Sequence, residues 1–220
     1  MIKAVSLFFI SSIILSGISY GQSTEQKRVQ NSIGIMATTT EIPDSILKKA
    51  QAIAVLPGVT KASAGISGIY GTGTMSVKKS NGCWSDPVFV SISGTNVRNQ
   101  AGVGGGSSDI ILVIMNKNVV TDLESGDVTL GQNVTVVPGP VKNGTSARLA
   151  DIYSYVKSNG SLNSSSLSGY TLKTDSKSNQ NYYGNNPSVQ QIIEGNVKNA
   201  PSSAADFTKE IGNLTGVCKK

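Results

Sequence analysis

The fold of this chain is decided by the stretch DIILVIMN, which occupies residues 109–116. Ile110 to Met115 form an apolar run without the polar alternation that a half-exposed strand would show. Glycine-rich sequence precedes the run, and Asn116-Lys117-Asn118 follows it. A short, mostly β-branched run with these borders predicts an interior strand, with Leu112 and Val113 almost fully buried. The rest of the chain must therefore cover both faces of a sheet.

Around this strand the sequence predicts further strands in the middle of the chain and helices at both ends. Pro43-Asp44-Ser45 is typical of a helix start, and a last helix is predicted to begin at Ser202 or Ser203. The fold class is α+β, with a central, mostly antiparallel sheet that is strongly bent or barrel-like. Two local predictions are more specific: a hairpin formed by residues 128–130 and 134–137, and a polar loop over residues 175–186.

The first residues have the features of a secretory signal peptide. Lys3 precedes an apolar run over residues 4–15, and Ser19-Tyr20-Gly21 places small residues at the −3 and −1 positions of a cleavage site. We expect residues 1–21 to be removed after Gly21 and the mature protein to be periplasmic or secreted; the alternative is an uncleaved anchor. Residues 22–40 then form a polar N-terminal arm, either a weakly amphipathic helix or a loose segment, before a single domain over residues 41–220.

Composition excludes several classes of function. The chain has no histidine, which excludes Ser-His-Asp and Cys-His catalysis and every His-ligated metal site. The formal net charge of +6 is mild and spread along the chain, so it is compatible with attraction to an anionic surface. Aromatic residues make up 5% of the chain and do not alternate with basic ones, which argues against nucleic acid. No metal or cofactor is predicted.

The two cysteines, Cys83 and Cys218, are too few for a structural zinc site. In an exported protein they are predicted to form one disulfide that ties the C-terminal tail to the middle of the fold. Two free thiols are the alternative.

Three motifs invite a chemical interpretation. Ser45 and Lys48 fit the S-x-x-K pattern of Ser-Lys hydrolases, but the companion motifs of those enzymes are missing. The glycine-rich residues 102–108 lead into a strand instead of a helix, so a loop is favoured over a phosphate cradle. Asp109 opens a buried strand, so its carboxylate must either be paired with a cation or accept backbone hydrogen bonds, and a structural cap is favoured over catalysis.

Several segments, taken in order, resemble the SYLF lipid-binding family, including its exported bacterial members. The similar segments are residues 42–57, Gly68-Ile69-Tyr70-Gly71-Thr72-Gly73, Trp84-Ser85-Asp86-Pro87-Val88-Phe89-Val90, Ser108-Asp109 with its apolar strand and Met115-Asn116, Thr129-Leu130-Gly131, Gly139-Pro140-Val141 and Ile152-Tyr153-Ser154-Tyr155. Together they cover residues 40 to 195. Eukaryotic members of this family include yeast actin-patch proteins. The resemblance implies non-enzymatic binding of acidic phospholipids, often phosphoinositides.

The sequence therefore favours a protein of the cell envelope that binds anionic phospholipid head groups at the membrane surface. The paired basic residues Lys48, Lys49, Lys78 and Lys79 are the candidate lipid-binding residues, because cations near an anionic surface contribute up to about 1 kcal/mol each. The alternative is a structural or protein-binding envelope module without lipid binding. A Ser-Lys hydrolase using Ser45 and Lys48 is the third interpretation.

Overall fold

The computed structural model describes residues 22–62, 68–94, 107–142 and 149–218. In these ranges the chain forms a strongly curled, mostly antiparallel half-barrel sheet with helices at its N- and C-terminal ends. This arrangement confirms the predicted α+β class. The predicted signal peptide and the glycine-rich residues 102–106 lie outside the described residues.

Helices and strands follow one another in an order that keeps most strands in the middle of the chain. The helices are α1 (Thr24–Ala37), α2 (Asp44–Lys49), α3 (Lys117–Ser125), α4 (Ser176–Tyr183), α5 (Val189–Glu194) and α6 (Ser202–Thr215). The strands are β1 (Ala52–Ala62), β2 (Gly68–Val77), β3 (Val88–Gly94), β4 (Ser107–Ile114), β5 (Val128–Thr129), β6 (Val136–Pro138), β7 (Ile152–Ser158), β8 (Ser161–Ser164) and β9 (Thr171–Thr174).

The strand order in the sheet is β5-β9-β3-β2-β1-β4-β7-β6, and β8 also pairs with β7. Ile110–Ile114 of the apolar run lie in β4, which pairs with β1 on one side and β7 on the other, and Met115 follows the strand. Leu112 and Val113 are fully buried, so the prediction of an interior strand is confirmed.

Both faces of the sheet centre are buried, as two adjacent rows of directly paired residues demonstrate. Neighbouring residues of a strand point to opposite faces, so the two rows sample both sides. No residue in either row exposes more than 1% of its surface. One row consists of Tyr155, Ile111, Val55, Thr74 and Phe89, and the other of Ser154, Leu112, Ala54, Met75 and Val88.

Residues 24–37 adopt the helical alternative and pack against β1, β2, α4 and α6. Ser23 begins the helix with a capping box, in which its side chain accepts from the Gln26 backbone and the Gln26 side chain accepts from the Ser23 backbone. On its inner face the buried Ser32 hydroxyl accepts a 2.9 Å hydrogen bond from the hydroxyl of Thr74 in β2. Polar contacts therefore help to fix α1 on the sheet.

The predicted polar loop over residues 175–186 is wrong, because residues 176–183 form α4. Asp175 caps this helix by accepting a 3.0 Å hydrogen bond from the backbone N–H of Ser178. Its inner face is partly polar: the Asn179 side chain accepts a 2.9 Å hydrogen bond from the buried backbone N–H of Phe89. Tyr183 donates a 2.7 Å hydrogen bond to the carbonyl of Pro87. Polar residues therefore pack inward in a way that apolar periodicity does not reveal.

The predicted hairpin of residues 128–130 and 134–137 is also wrong. β5 pairs with β9, and β6 pairs in parallel with β7, so the two segments join different edges of the sheet. Between them there is an isolated bridge of Leu130 and Val134. β9 supplies the backbone partners of β5, and β7 supplies those of β6, so the two segments do not pair as a hairpin.

Candidate functional site

Four central strands reach one end of the sheet side by side and form a rim. Val77 ends β2, Ala52 begins β1, Ile114 ends β4 and Ile152 begins β7, and each is paired with its neighbour. The hydrogen bonding continues one step outward, from the Lys78 N–H to the Gln51 carbonyl at 2.7 Å and from the Met115 N–H to the Asp151 carbonyl at 2.7 Å. Residues just beyond these positions project from a single end of the half-barrel.

The structure brings all four candidate lysines to this end, and we call the group Lys48, Lys49, Lys78 and Lys79 the lysine rim. Lys48 and Lys49 end α2, are exposed, and lie just before β1. Lys78 and Lys79 follow β2 and are half-buried. Two pairs that are distant in sequence thus lie at neighbouring strand ends, while their role in lipid binding stays a prediction.

Lys78 differs from the other members of the lysine rim because its side chain has structural contacts. Its ammonium group donates a 2.7 Å hydrogen bond to the carbonyl of Lys48 at the end of α2, and lies 5.3 Å from the centre of the Trp84 ring. Burial lowers the pKa of this ammonium group. Lys48, Lys49 and Lys79 are therefore the rim cations most available to an external anion.

Lys117 is a further cation at this end that sequence reasoning missed. It begins α3, three residues beyond the last residue of β4, and it is exposed. The signal used for the other lysines was their pairing in sequence, and Lys117 stands alone between two asparagines. Its position directly after the predicted interior strand could have placed Lys117 at an end of the sheet.

Two grooves flank the C-terminal turn of α6 next to the lysine rim. A groove of about 570 Å³ lies between the end of α1, α2 and α6, with Lys48 and Lys142 in its lining. Lys142 is paired there with Asp44 at 3.1 Å. A second groove of about 530 Å³ is lined by Lys79, Trp84 and the disulfide, among others. Asn213 of α6 lines both grooves, so this turn separates them.

Hydrogen bonds hold two carboxylates, one near the rim and one at the opposite end of β4. Asp151 accepts 2.7 Å and 2.8 Å hydrogen bonds from the Asn116 side chain and the Thr135 backbone, respectively. These bonds, that from Asn116 foremost, lower the pKa of the Asp151 carboxyl. Asp109, at the opposite end of β4, accepts a 2.9 Å hydrogen bond from the backbone N–H of Gly58, as its position predicts.

The disulfide between Cys83 and Cys218 is present in the structure, with their Cα atoms 5.3 Å apart. A second contact ties the same two segments, because the indole N–H of Trp84 donates a 2.8 Å hydrogen bond to the hydroxyl of Thr215. Trp84 and Phe89 are buried, and so belong to the core. The tail of α6 is therefore fixed beside the lysine rim.

Ser45 and Lys48 of the S-x-x-K pattern are both exposed on the short helix α2. Neither lies in a sheltered environment of the kind that activates a serine nucleophile. Within the described ranges, no helix combines the length and apolar character needed to cross a membrane.

Comparison with known families identifies the chain. A sequence model of the Ysc84 (SYLF) family, described as "Las17-binding protein actin regulator", matches residues 94–214. The chain belongs to this family. The match runs from the end of β3 to α6, and the family description names binding and regulation but no reaction.

Several eukaryotic proteins are related to the chain. LAS seventeen-binding protein 3 of Saccharomyces cerevisiae is 27% identical over 169 residues, covering 73% of this chain and 36% of the relative. The SH3 domain-containing YSC84-like protein 1 of Xenopus laevis is 31% identical over 187 residues, covering 79% of this chain and 53% of the relative. The chain thus spans about a third to a half of the relatives it matches. No solved structure shows significant similarity to it.

Proposed function

We propose that this Ysc84-family protein binds anionic phospholipid head groups at a membrane surface through the lysine rim. The observation that carries the proposal is the convergence of two lysine pairs, from α2 and from the end of β2, on one end of the sheet. Clustered cations attract an anionic leaflet more strongly than the same charges spread over the surface, because the potential falls off within a Debye length. The resemblance of the sequence to the SYLF lipid-binding family supports the same function.

The proposed location is the periplasm or the exterior of the cell, after cleavage behind Gly21. The disulfide supports export, since such bonds persist mainly in oxidising compartments. Mass spectrometry of the protein purified from its native cell tests this. A mature chain beginning at Gln22 is expected, and an unprocessed cytoplasmic chain would contradict the proposal.

Flotation with liposomes tests the lipid function. The double variant Lys48→Glu/Lys49→Glu is expected to bind phosphatidylglycerol-containing vesicles much more weakly than the unmodified protein, because two exposed cations become anions. High salt is expected to weaken the binding of the unmodified protein as well. The melting temperature should change little, since both side chains are exposed.

A matched control separates local charge from net charge. Lys173 in β9 and Lys177 in α4 are also exposed, and β9 is three strands away from β1 in the sheet order. Lys173→Glu/Lys177→Glu makes the same change in net charge and is expected to retain most binding. Equal binding by the unmodified protein and Lys48→Glu/Lys49→Glu would remove these two lysines from the site.

A protein-binding module is the second candidate function. Relatives with "LAS seventeen-binding" in their names favour it, as those names describe binding to a protein. Two results together would favour this second function. The unmodified protein would bind no anionic vesicle, and it would bind a purified envelope protein specifically.

A further inference from the structure

Leu149 is an exposed apolar residue three residues before β7. It exposes 98% of its surface, and among the described residues the one other large apolar side chain that is exposed is Tyr70, at 56%. Single exposed apolar side chains are common on soluble domains. Exposure alone therefore assigns no role to Leu149. A role has to be inferred from where Leu149 lies relative to the sheet.

That position is on the same end of the half-barrel as the lysine rim. Leu149 precedes Asp151 by two residues, and Lys49 precedes Gln51 by two residues. The carbonyl of Asp151 accepts from Met115, and the N–H of Gln51 donates to Ile114, so both flank the end of β4. Asp151 and Gln51 are therefore two strand spacings apart, or about 10 Å.

Tyr70 lies at the opposite end of the sheet. It pairs with Thr60 in β1 and Ser93 in β3, whereas the lysine rim follows Val77 at the other end of β2. The eight residues from Tyr70 to Lys78 span about 26 Å in an extended strand. The two exposed apolar residues thus differ in whether they lie at the end of the sheet that carries the lysine rim, and this difference supplies an internal comparison.

We propose that Leu149 is an apolar anchor that enters the bilayer beside the lysine rim when the protein binds an anionic membrane. The proposal rests on the proposed function and adds a second component to that site. Peripheral proteins gain stable membrane binding by combining attraction between cations and anionic lipids with insertion of apolar side chains. Asp151, the nearby carboxylate, accepts hydrogen bonds from Asn116 and Thr135 that favour its ionised form, so the cations of the lysine rim have to outweigh this one negative charge.

Vesicle binding by Leu149→Ser tests the anchor. With vesicles of equal parts phosphatidylcholine and phosphatidylglycerol, the affinity is expected to fall about tenfold, the scale of losing burial of one leucine side chain. Tyr70→Ser is the matched control and is expected to bind as the unmodified protein does. Thermal unfolding should confirm that both variants remain folded.

Fluorescence provides a second, direct measurement of insertion. Trp84 is the single tryptophan of the chain and is buried beside Lys78, so the spectrum of the unmodified protein with the same vesicles is subtracted as the background. Leu149→Trp is expected to show a blue-shifted emission and protection from iodide when anionic vesicles are added, whereas Tyr70→Trp is not. A bilayer-inserted indole would leave water, and an indole held above the surface would not.

The outcomes separate the anchor from the proposed function. If the unmodified protein binds anionic vesicles and Leu149→Ser binds them equally well, the anchor is refuted and the lipid function stands. If the Leu149→Trp variant binds anionic vesicles but its emission spectrum does not change, the anchor is refuted as well. If the unmodified protein binds no anionic vesicle, both proposals fail together.

Discussion

Leu112 lies at the centre of the sheet, paired with Ala54 and Ser154, and is fully buried. Leu112→Ala is expected to lower the free energy of unfolding by about 2–5 kcal/mol, because strands on both sides prevent the cavity from collapsing. Chemical denaturation measures the loss. Leu149→Ala is the matched control and should stay within about 0.5 kcal/mol. A similar small loss for Leu112→Ala would contradict the interior position of β4.

At the same scale, the sequence identifies which residues are buried better than it identifies what surface residues contact. The run from Ile110 to Met115 has a composition that is typical of a strand covered on both faces. The pair Lys78-Lys79, in contrast, looks like two solvated charges, and only the approach of α2 to the end of β2 makes Lys78 a partner of the Lys48 carbonyl. That approach depends on residues distant in sequence, so no local pattern encodes it.

Among the elements, α4 depends on a polar contact with the sheet. The Asn179 side chain accepts from the buried N–H of Phe89, and Asp175 donates its own N–H to the Phe89 carbonyl at 2.8 Å. Asn179→Ala is expected to lower the free energy of unfolding by about 1–3 kcal/mol, because it leaves the Phe89 N–H buried without an acceptor. Thermal or chemical unfolding measures this.

The neighbouring residue Gln180 provides the control for this prediction. It is exposed on the same helix, so Gln180→Ala should change stability by no more than about 0.5 kcal/mol. Equal, small effects of both substitutions would show that the Asn179 contact contributes nothing. The control also accounts for helix propensity, since both changes introduce alanine at an interior position of α4.

The same polar inner face explains why α4 was missed. Prediction from sequence relied on apolar residues at helical spacing, and the residues that face inward here include Ser178 and Asn179. Helices α2 and α6 were predicted because Leu47, Phe207 and Ile211 supply that apolar signal. An element held by hydrogen bonds gives a weaker signal in sequence than one held by apolar burial.

For the whole molecule, the class of fold was predictable but the strand pairing was not. Alternating and apolar segments indicate where strands occur in the sequence. The pairing of β5 with β9 and of β6 with β7 depends on contacts between distant parts of the chain, which these local patterns do not reveal. Likewise the two lysine pairs were predictable as candidates, but their meeting at one rim was not. The disulfide was predictable because two cysteines allow a single intramolecular pairing.

This disulfide connects the β2–β3 turn to the end of α6 across 135 residues of sequence. A loop of that length implies about 4–5 kcal/mol of stabilisation in the chain-entropy model, as an upper value. Cys83→Ser/Cys218→Ser is therefore expected to lower the free energy of unfolding by up to that amount. The native contacts of α6 should persist, because the Trp84–Thr215 hydrogen bond and the buried Phe207 and Ile211 hold the helix.

Dithiothreitol should lower the melting temperature of the unmodified protein but leave that of the double variant unchanged, since the variant has no bond to reduce. Titration of the denatured, unreduced protein should detect no reactive thiol in a monomer, and two thiols per chain would refute the bond.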